Sequence, residues 1–411
     1  MLKFTSVLAA AGFAMLPLAS QAATPTLGDV LKASGISANG YVDFGSTWNN
    51  RGADGVGGIG GLQGAKNASF RLNQVGLAVT TATSEGFSGT LDLLAGQDAL
   101  GYGGNNGGGD IILKQAYAQY TNGGFTVLGG RFVTLAGFEV VNSSQNQNAT
   151  RGLLFTILQP TNHTGVRASY TINKVVTLTG GYNNSVNGLT TDNNTQKTLE
   201  AQVAVSPFDG FNNALTFYYG TETASNNAPN APFAGMNNNK FNPYLVDLVS
   251  SLQVTKALSL GLNYDYAYDQ PFAPTISVGG AAPTGAVTAA SGNGARSHGI
   301  ASYASFQICN DLRLGGRAEY ITTSFNQGVL SPTDSRVNQF EYTLTSDYAV
   351  TKNFSVLSDV RFDKQIGPNG YTPGTRFAGT TTTLGGFAPS NASNGGGNAM
   401  TSVTIKGIYR F

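Results

Sequence analysis

Two histidines, one cysteine and a glycine-rich run are the residues whose types could carry chemistry directly. His163 could act as the base of a Ser/His/acid arrangement and take a proton from a serine hydroxyl. No Gly-x-Ser-x-Gly or comparable nucleophile motif accompanies it. Neither His163 nor His298 has a second His or Cys at metal-ligand spacing, so no metal site is expected. Cys309 is the single cysteine, which excludes an internal disulfide framework. Gly55-Val56-Gly57-Gly58-Ile59-Gly60 has the letters of a dinucleotide fingerprint, but that motif needs a following helix and an acidic residue about 20 positions on. An alternating segment follows instead, so the run reads as an outer loop. No catalytic residue and no cofactor is assigned.

The remaining chemistry lies in charge, and charge is scarce. Only 11% of the 411 residues are charged, 23 basic against 22 acidic, while glycine contributes 55. A soluble domain carries about 25% charged residues. With 41% hydrophobic and 10% aromatic residues the chain is not of the disordered class. A net charge of +1 gives no electrostatic footprint for nucleic acid.

The elements that position these charges alternate with a period of two. Phe354, Val356, Val360 and Phe362 share one parity; Ser355, Asp359, Arg361 and Asp363 share the other. The same division recurs at 198–205, 258–266, 311–320 and 340–350. Strands are expected near 37–49, 68–81, 87–97, 111–121, 125–134, 163–172, 175–184, 196–206, 213–222, 242–254, 257–268, 296–308, 311–322, 336–349, 353–364 and 399–411. A bulge would explain the parity change after Leu72.

These strands run nearer ten residues than the five or six of a sandwich, the length that crosses a bilayer when tilted. Tight connections such as Asn122-Gly123-Gly124, Asn173-Lys174 and Cys309-Asn310 interleave with long Gly/Asn-rich ones. Aromatics stand at strand ends, among them Trp48, Tyr120, Tyr219, Tyr266, Tyr268 and Tyr348. The pattern predicts an all-β transmembrane antiparallel barrel of about sixteen strands, with short periplasmic turns, long extracellular loops and a lipid-facing apolar side.

Residues 1–22 read as a signal peptide: Lys3, an apolar stretch from Val7 to Leu18, and a small-x-small site ending at Ala22. Residues 23–36 form a periplasmic leader, in which a short helix over 26–36 would either plug the mouth or simply precede the first strand. The barrel then occupies 37–411.

Neighbouring strand residues point to opposite sides, so the polar parity faces the lumen. The pore-lining candidates are Arg71, Arg131, Arg167, Glu200, Asp247, Asp265, Arg313, Arg317, Glu319, Asp359 and Arg361. Early arginines (Arg71, Arg131, Arg167) and middle carboxylates (Glu200, Asp247, Asp265) would occupy different arcs and set a transverse field across the pore. The long connection 135–162, with Glu139, Arg151 and the apolar Leu153 to Leu158, is a candidate constriction loop. A strand pair inserted there would instead raise the strand count to eighteen.

From residue 111 to about 206 the sequence resembles the β-barrel porin-2 (OmpL-like) family of Gram-negative outer-membrane porins. The marks are Gln115-Ala116-Tyr117, Gly129-Gly130-Arg131-Phe132, Gly137-Phe138-Glu139 and His163-Thr164-Gly165-Val166-Arg167-Ala168, with the opening Ser34 to Phe44 similar to that family's first strand. The resemblance implies an outer-membrane pore and carries over no catalytic residues. The terminal Phe411 resembles the signal read by the barrel-assembly machinery.

Passive diffusion of small hydrophilic solutes or ions through a water-filled barrel in the outer-membrane lipid is therefore the expected function. The alternatives are a non-conducting barrel displaying its loops as an adhesin or receptor, and an outer-membrane hydrolase. Homo-oligomerisation is left open.

Overall fold

Glycine- and hydroxyl-guided turns set the hairpins of this chain, seen in a computed structural model that describes residues 31, 33–50, 69–102, 111–186, 192, 194–223, 240–268, 296–325, 335–366 and 399–411. The signal peptide, residues 23–30 of the leader and the Gly55 to Gly60 run lie outside the described residues. Glu85 and Gly86 both have positive φ (50° and 88°), the conformation that matches a two-residue turn to strand twist. Asn173 Oδ1 accepts from Val175 N and Val176 N, and Thr351 Oγ1 from Asn353 N and Phe354 N. These side chains take the place of the backbone partners a tight turn lacks.

The strands are β1 (Ile36–Asn49), β2 (Phe70–Thr81), β3 (Phe87–Ala95), β4 (Ile111–Asn122), β5 (Phe125–Val133), β6 (Asn162–Thr171), β7 (Val176–Asn183), β8 (Thr198–Phe208) and β9 (Phe211–Tyr219). A two-stranded ribbon, β10 (Glu222–Thr223) with β11 (Lys240–Phe241), stands apart. There follow β12 (Tyr244–Gln253), β13 (Leu258–Tyr268), β14 (Arg296–Cys309), β15 (Leu312–Phe325), β16 (Ser335–Ala349), β17 (Phe354–Ile366) and β18 (Ala399–Arg410). Without the ribbon, sixteen strands pair antiparallel with their neighbours into one closed barrel. The seam is β1 with β18, from Tyr41↔Arg410 to Asn49↔Ser402. Gly40 and Phe411 exchange both backbone hydrogen bonds at 2.9 Å. Closure satisfies every edge, as lipid requires.

The wall is inside out relative to a soluble protein. On β16, Leu344 is 73% exposed while Glu341, three residues away, is fully buried. Trp48, Leu199, Phe217, Val360, Phe362 and Ile405 are likewise exposed on the outer parity. A surface this apolar is stable only against lipid. The register shifts where Asn73 is the extra residue of β2, so the parity change after Leu72 is a bulge. A second bulge places Lys114 as the extra residue of β4.

Candidate functional site

The segment from Thr134 to Thr161 lies inside the barrel, and no strand interrupts it. It contains one short 3-10 turn (Ser143–Gln145) and one π-helical turn (Leu154–Leu158), so most of its backbone N–H groups need partners from elsewhere. The wall supplies them. At the entry, Tyr218 Oη bonds Thr134 Oγ1 at 3.1 Å and accepts from Leu135 N at 3.0 Å. Gly137 N donates to Asp247 Oδ1 and Phe138 N to Asn263 Oδ1, each at 3.1 Å. Gly137 has φ of 98°, where a side chain would be strained. At the exit, Gln159 Nε2 reaches Asn263 Oδ1 at 2.7 Å and Asp265 Oδ2 at 2.9 Å. Both ends of the loop therefore hang on the facing pair β12 and β13.

Its middle is bound by charge. Asp359 accepts from Ala149 N, Thr150 N and Thr150 Oγ1 at 3.1, 2.8 and 2.8 Å. Glu319 accepts from Leu153 N and Leu154 N. Arg317 meets Glu139 at 2.5 Å and Glu341 at 3.0 Å, and donates to Thr150 O at 2.7 Å. Arg361 donates to Arg151 O and pairs with Asp363 at 2.7 Å. Buried groups of this kind are tolerated only when paired and hydrogen-bonded.

Leu153, Leu154 and Leu158 pack on Leu245, Ala267, Ala301, Tyr303 and Ile321. Burying each leucine contributes about 1.5–3 kcal/mol. The Phe138 ring stacks on Tyr303 with centroids 4.2 Å apart. A four-residue helix, α1 (Ala99–Tyr102), contacts the loop through Phe155, over which the Arg151 guanidinium lies at 5.0 Å.

The structure sorts the expected pore-lining residues into groups. Arg317, Glu319, Asp359 and Arg361 are 0–3% exposed and bind the loop instead of facing open water. Asp247 and Asp265 stand directly opposite one another, both fully buried, and hold its ends. Arg313 pairs with Asp347 at 2.7 Å. Arg71 faces inward opposite Gly45.

Arg131 is 7% exposed and stands opposite Ala116 and Thr164. One expectation needs correction. Arginines and carboxylates are not separated into arcs: Arg167 Nε lies 2.5 Å from Glu200 Oε1, across Gly181 of β7. The pair neutralises itself, and the expected transverse field loses two of its members.

His163 stacks on Tyr218 at 4.8 Å, and its Nδ1 faces the Ser185 backbone carbonyl at 3.4 Å rather than a serine hydroxyl. That contact gives no nucleophile. Sequence reasoning missed Asn263, Tyr218, Gln159 and Lys114. Lys114 pairs with Asp92 at 2.8 Å, and a charged residue at a bulge was its only signal. Beyond the barrel, Glu222 accepts from Val186 N at 3.0 Å, and burial pushes its carboxyl up to about 7.

On β4 to β9 the lumen is different. Thr121, Thr126, Ser169, Thr179, Gln202 and Thr216 face one another in register across six strands, and the first five are only half-buried. Of the hydrogen bonds described for the loop, one reaches the six, from Gln202 Nε2 to Leu135 O at 3.3 Å.

Among solved structures the fold is similar to three bacterial outer-membrane proteins. They are the anion-selective porin of Comamonas acidovorans (TM-score 0.56, 13% identity, 92% of this chain and 99% of that one), the outer-membrane channel DcaP of Acinetobacter baumannii (0.55, 12%, 92% and 97%), and the trimer form of OmpT of Vibrio cholerae (0.50, 12%, 92% and 99%). No curated protein matches the sequence. The family model "Putative beta-barrel porin-2, OmpL-like" matches residues 35–392. A closed sixteen-strand wall with an apolar outside and that match over most of the chain lead to one conclusion: the protein belongs to this family of outer-membrane porins.

Proposed function

We propose that this porin passes small hydrophilic solutes and ions by passive diffusion, through water held between the loop 134–161 and the wall of β4 to β9. The observation that carries the reading is the one-sided attachment of the loop. From residue 136 to 160 its donors and acceptors are used on β12 to β18 and on Gln74 of β2, only its entry residues Thr134 and Leu135 reach β8 and β9, and the rest of the facing arc keeps half-buried polar side chains. A loop fixed by many buried bonds narrows a lumen without moving. Glu139 and Arg151 act in this reading as fasteners of the constriction, Glu139 through Arg317 and Arg151 through Val141 O at 2.6 Å.

Because Arg167, Arg313, Arg317 and Arg361 each meet a carboxylate, ion selectivity is weak. The chain acts as a channel and not as a hydrolase, a reading supported by its porin family and by the backbone contact of His163. Signal cleavage near Ala22, delivery to the assembly machinery through Phe411, and self-association complete the proposal. The trimer solved for OmpT supports the last of these.

Single-channel recording on the purified protein tests the pore. A steady open current is expected, and deletion of 142–158 enlarges the conductance step. An unchanged step removes the constriction. Silence of the intact protein would favour a display scaffold.

A further inference from the structure

Apart from the ion pairs, the uncovered arc carries a continuous row of neutral hydrogen-bonding side chains. Thr121 pairs with Thr126, Thr126 with Ser169, Ser169 with Thr179, Thr179 with Gln202, and Gln202 with Thr216 in the register of the sheet. Three of these steps are closed by side-chain hydrogen bonds: Thr121 to Thr126 at 3.2 Å, Ser169 to Thr179 at 2.9 Å, and Gln202 to Thr216 at 2.9 Å. Adjacent strands lie about 4.8 Å apart, so the row is roughly 24 Å long, and because barrel strands tilt it climbs the wall obliquely. Among the described residues, the buried charges of β3 to β9 are Arg131, 7% exposed, and two ion pairs, Asp92 with Lys114 and Arg167 with Glu200, joined at 2.8 and 2.5 Å. Neither pair offers a net charge to a passing ion.

Resting on the porin reading, we propose that this row is a track for neutral polyhydroxylated solutes, open-chain polyols and monosaccharides, which the pore passes in preference to ions of similar size. A hydroxyl both donates and accepts. A solute hydroxyl can therefore replace any neighbour along the row, and the wall hydroxyls re-form their own bonds behind it. An ion entering the same arc gives up hydration without meeting an opposite charge. A polyol instead exchanges hydrogen bonds with water for hydrogen bonds with the wall, nearly one for one. The loop reinforces this division, because it covers the carboxylates and guanidiniums of β12 to β17 and leaves the hydroxyls of Thr121, Thr126, Ser169 and Thr179 half-buried.

The test uses the full-length protein in liposomes and planar bilayers, with sorbitol, gluconate and N-methylglucamine as solutes of similar length and hydroxyl content but different charge. Sorbitol is expected to enter faster than either ion, with a reversal potential near zero in a potassium chloride gradient. A variant combining Thr126→Val, Ser169→Ala and Thr179→Val keeps shape and loses three hydroxyls. Its sorbitol entry is expected to fall about threefold or more while its potassium chloride conductance stays close to the original. Equal loss of both, or an unchanged sorbitol rate, overturns the track. Should the variant not fold, the order of the three solutes on the unaltered protein decides, and faster entry of either ion overturns it. No potassium chloride current at all would instead overturn the porin reading beneath it.

Discussion

Arg317 holds Glu139 of the inward loop on one nitrogen at 2.5 Å and Glu341 of the neighbouring strand on another at 3.0 Å. One guanidinium thus joins loop to wall, with the carboxylate of Glu319 also within 3.6 Å. Replacing it by Met would leave Glu139 and Glu319 without their cation and Glu341 with Arg361 at 3.7 Å. Breaking such a pair from one side costs about 3–5 kcal/mol. Arg317→Met should lower the urea midpoint of the micelle-solubilised protein and make the open current noisy. Glu139→Gln keeps one acceptor but turns its amide on Gly152 N or on Arg317, and should cost about 1–3 kcal/mol. A midpoint unchanged in Arg317→Met would show that the cluster holds nothing.

Asp359 uses both carboxylate oxygens on the loop and on Thr345. Asn has one acceptor oxygen, and its amide would face the N–H of Ala149 or Thr150. The hydroxyls can turn away, but a backbone N–H cannot. Asp359→Asn should cost about 1–3 kcal/mol and raise the frequency of brief conductance steps. A quiet trace with native stability would contradict the anchoring.

Much of this was legible from the chain. Every barrel strand follows from two-residue periodicity, because on a wall between lipid and water each residue has only one permissible side. The bulge at Asn73 was legible too, as a break in that rhythm. The use of the charges was hidden. Parity says that Glu319 and Asp359 point inward, but only the fold brings Leu153 N and Thr150 N to them across long stretches of sequence.

Glu222 gives the ribbon outside the barrel a pH dependence. Burial raises its folded pKa to about 7 from the ordinary 4.5, so between those values the folded loop binds more protons than the unfolded one. Its stabilisation is complete below 4.5 and is lost as pH climbs through about 7. Amide exchange at Val186, whose N–H bonds Glu222 Oε1, should accelerate above neutrality beyond the intrinsic base-catalysed rate. Glu222→Gln should flatten the profile. Identical profiles in the two proteins would count against a titrating Glu222.

Cys309 is exposed and ends β14 at a short turn. If the short turns face the periplasm, a membrane-impermeant maleimide should label it only after the outer membrane is permeabilised. Labelling of intact cells at the same rate would invert the orientation.

The seam between β1 and β18 has a consequence for biogenesis. Asp43 and Lys406, joined across it at 3.1 Å, are 363 positions apart, whereas most other barrel strands pair with a neighbour in sequence. Hairpins can form early and locally, but the last pairing closes a loop almost as long as the chain, where the entropic cost is greatest. Until it forms, β1 and β18 are both open edges able to recruit a foreign strand. The hazardous species for this protein is therefore the complete but unzipped sheet, and substitutions that weaken the seam should appear first as proteolysis and aggregation before insertion, with channels that do insert behaving normally.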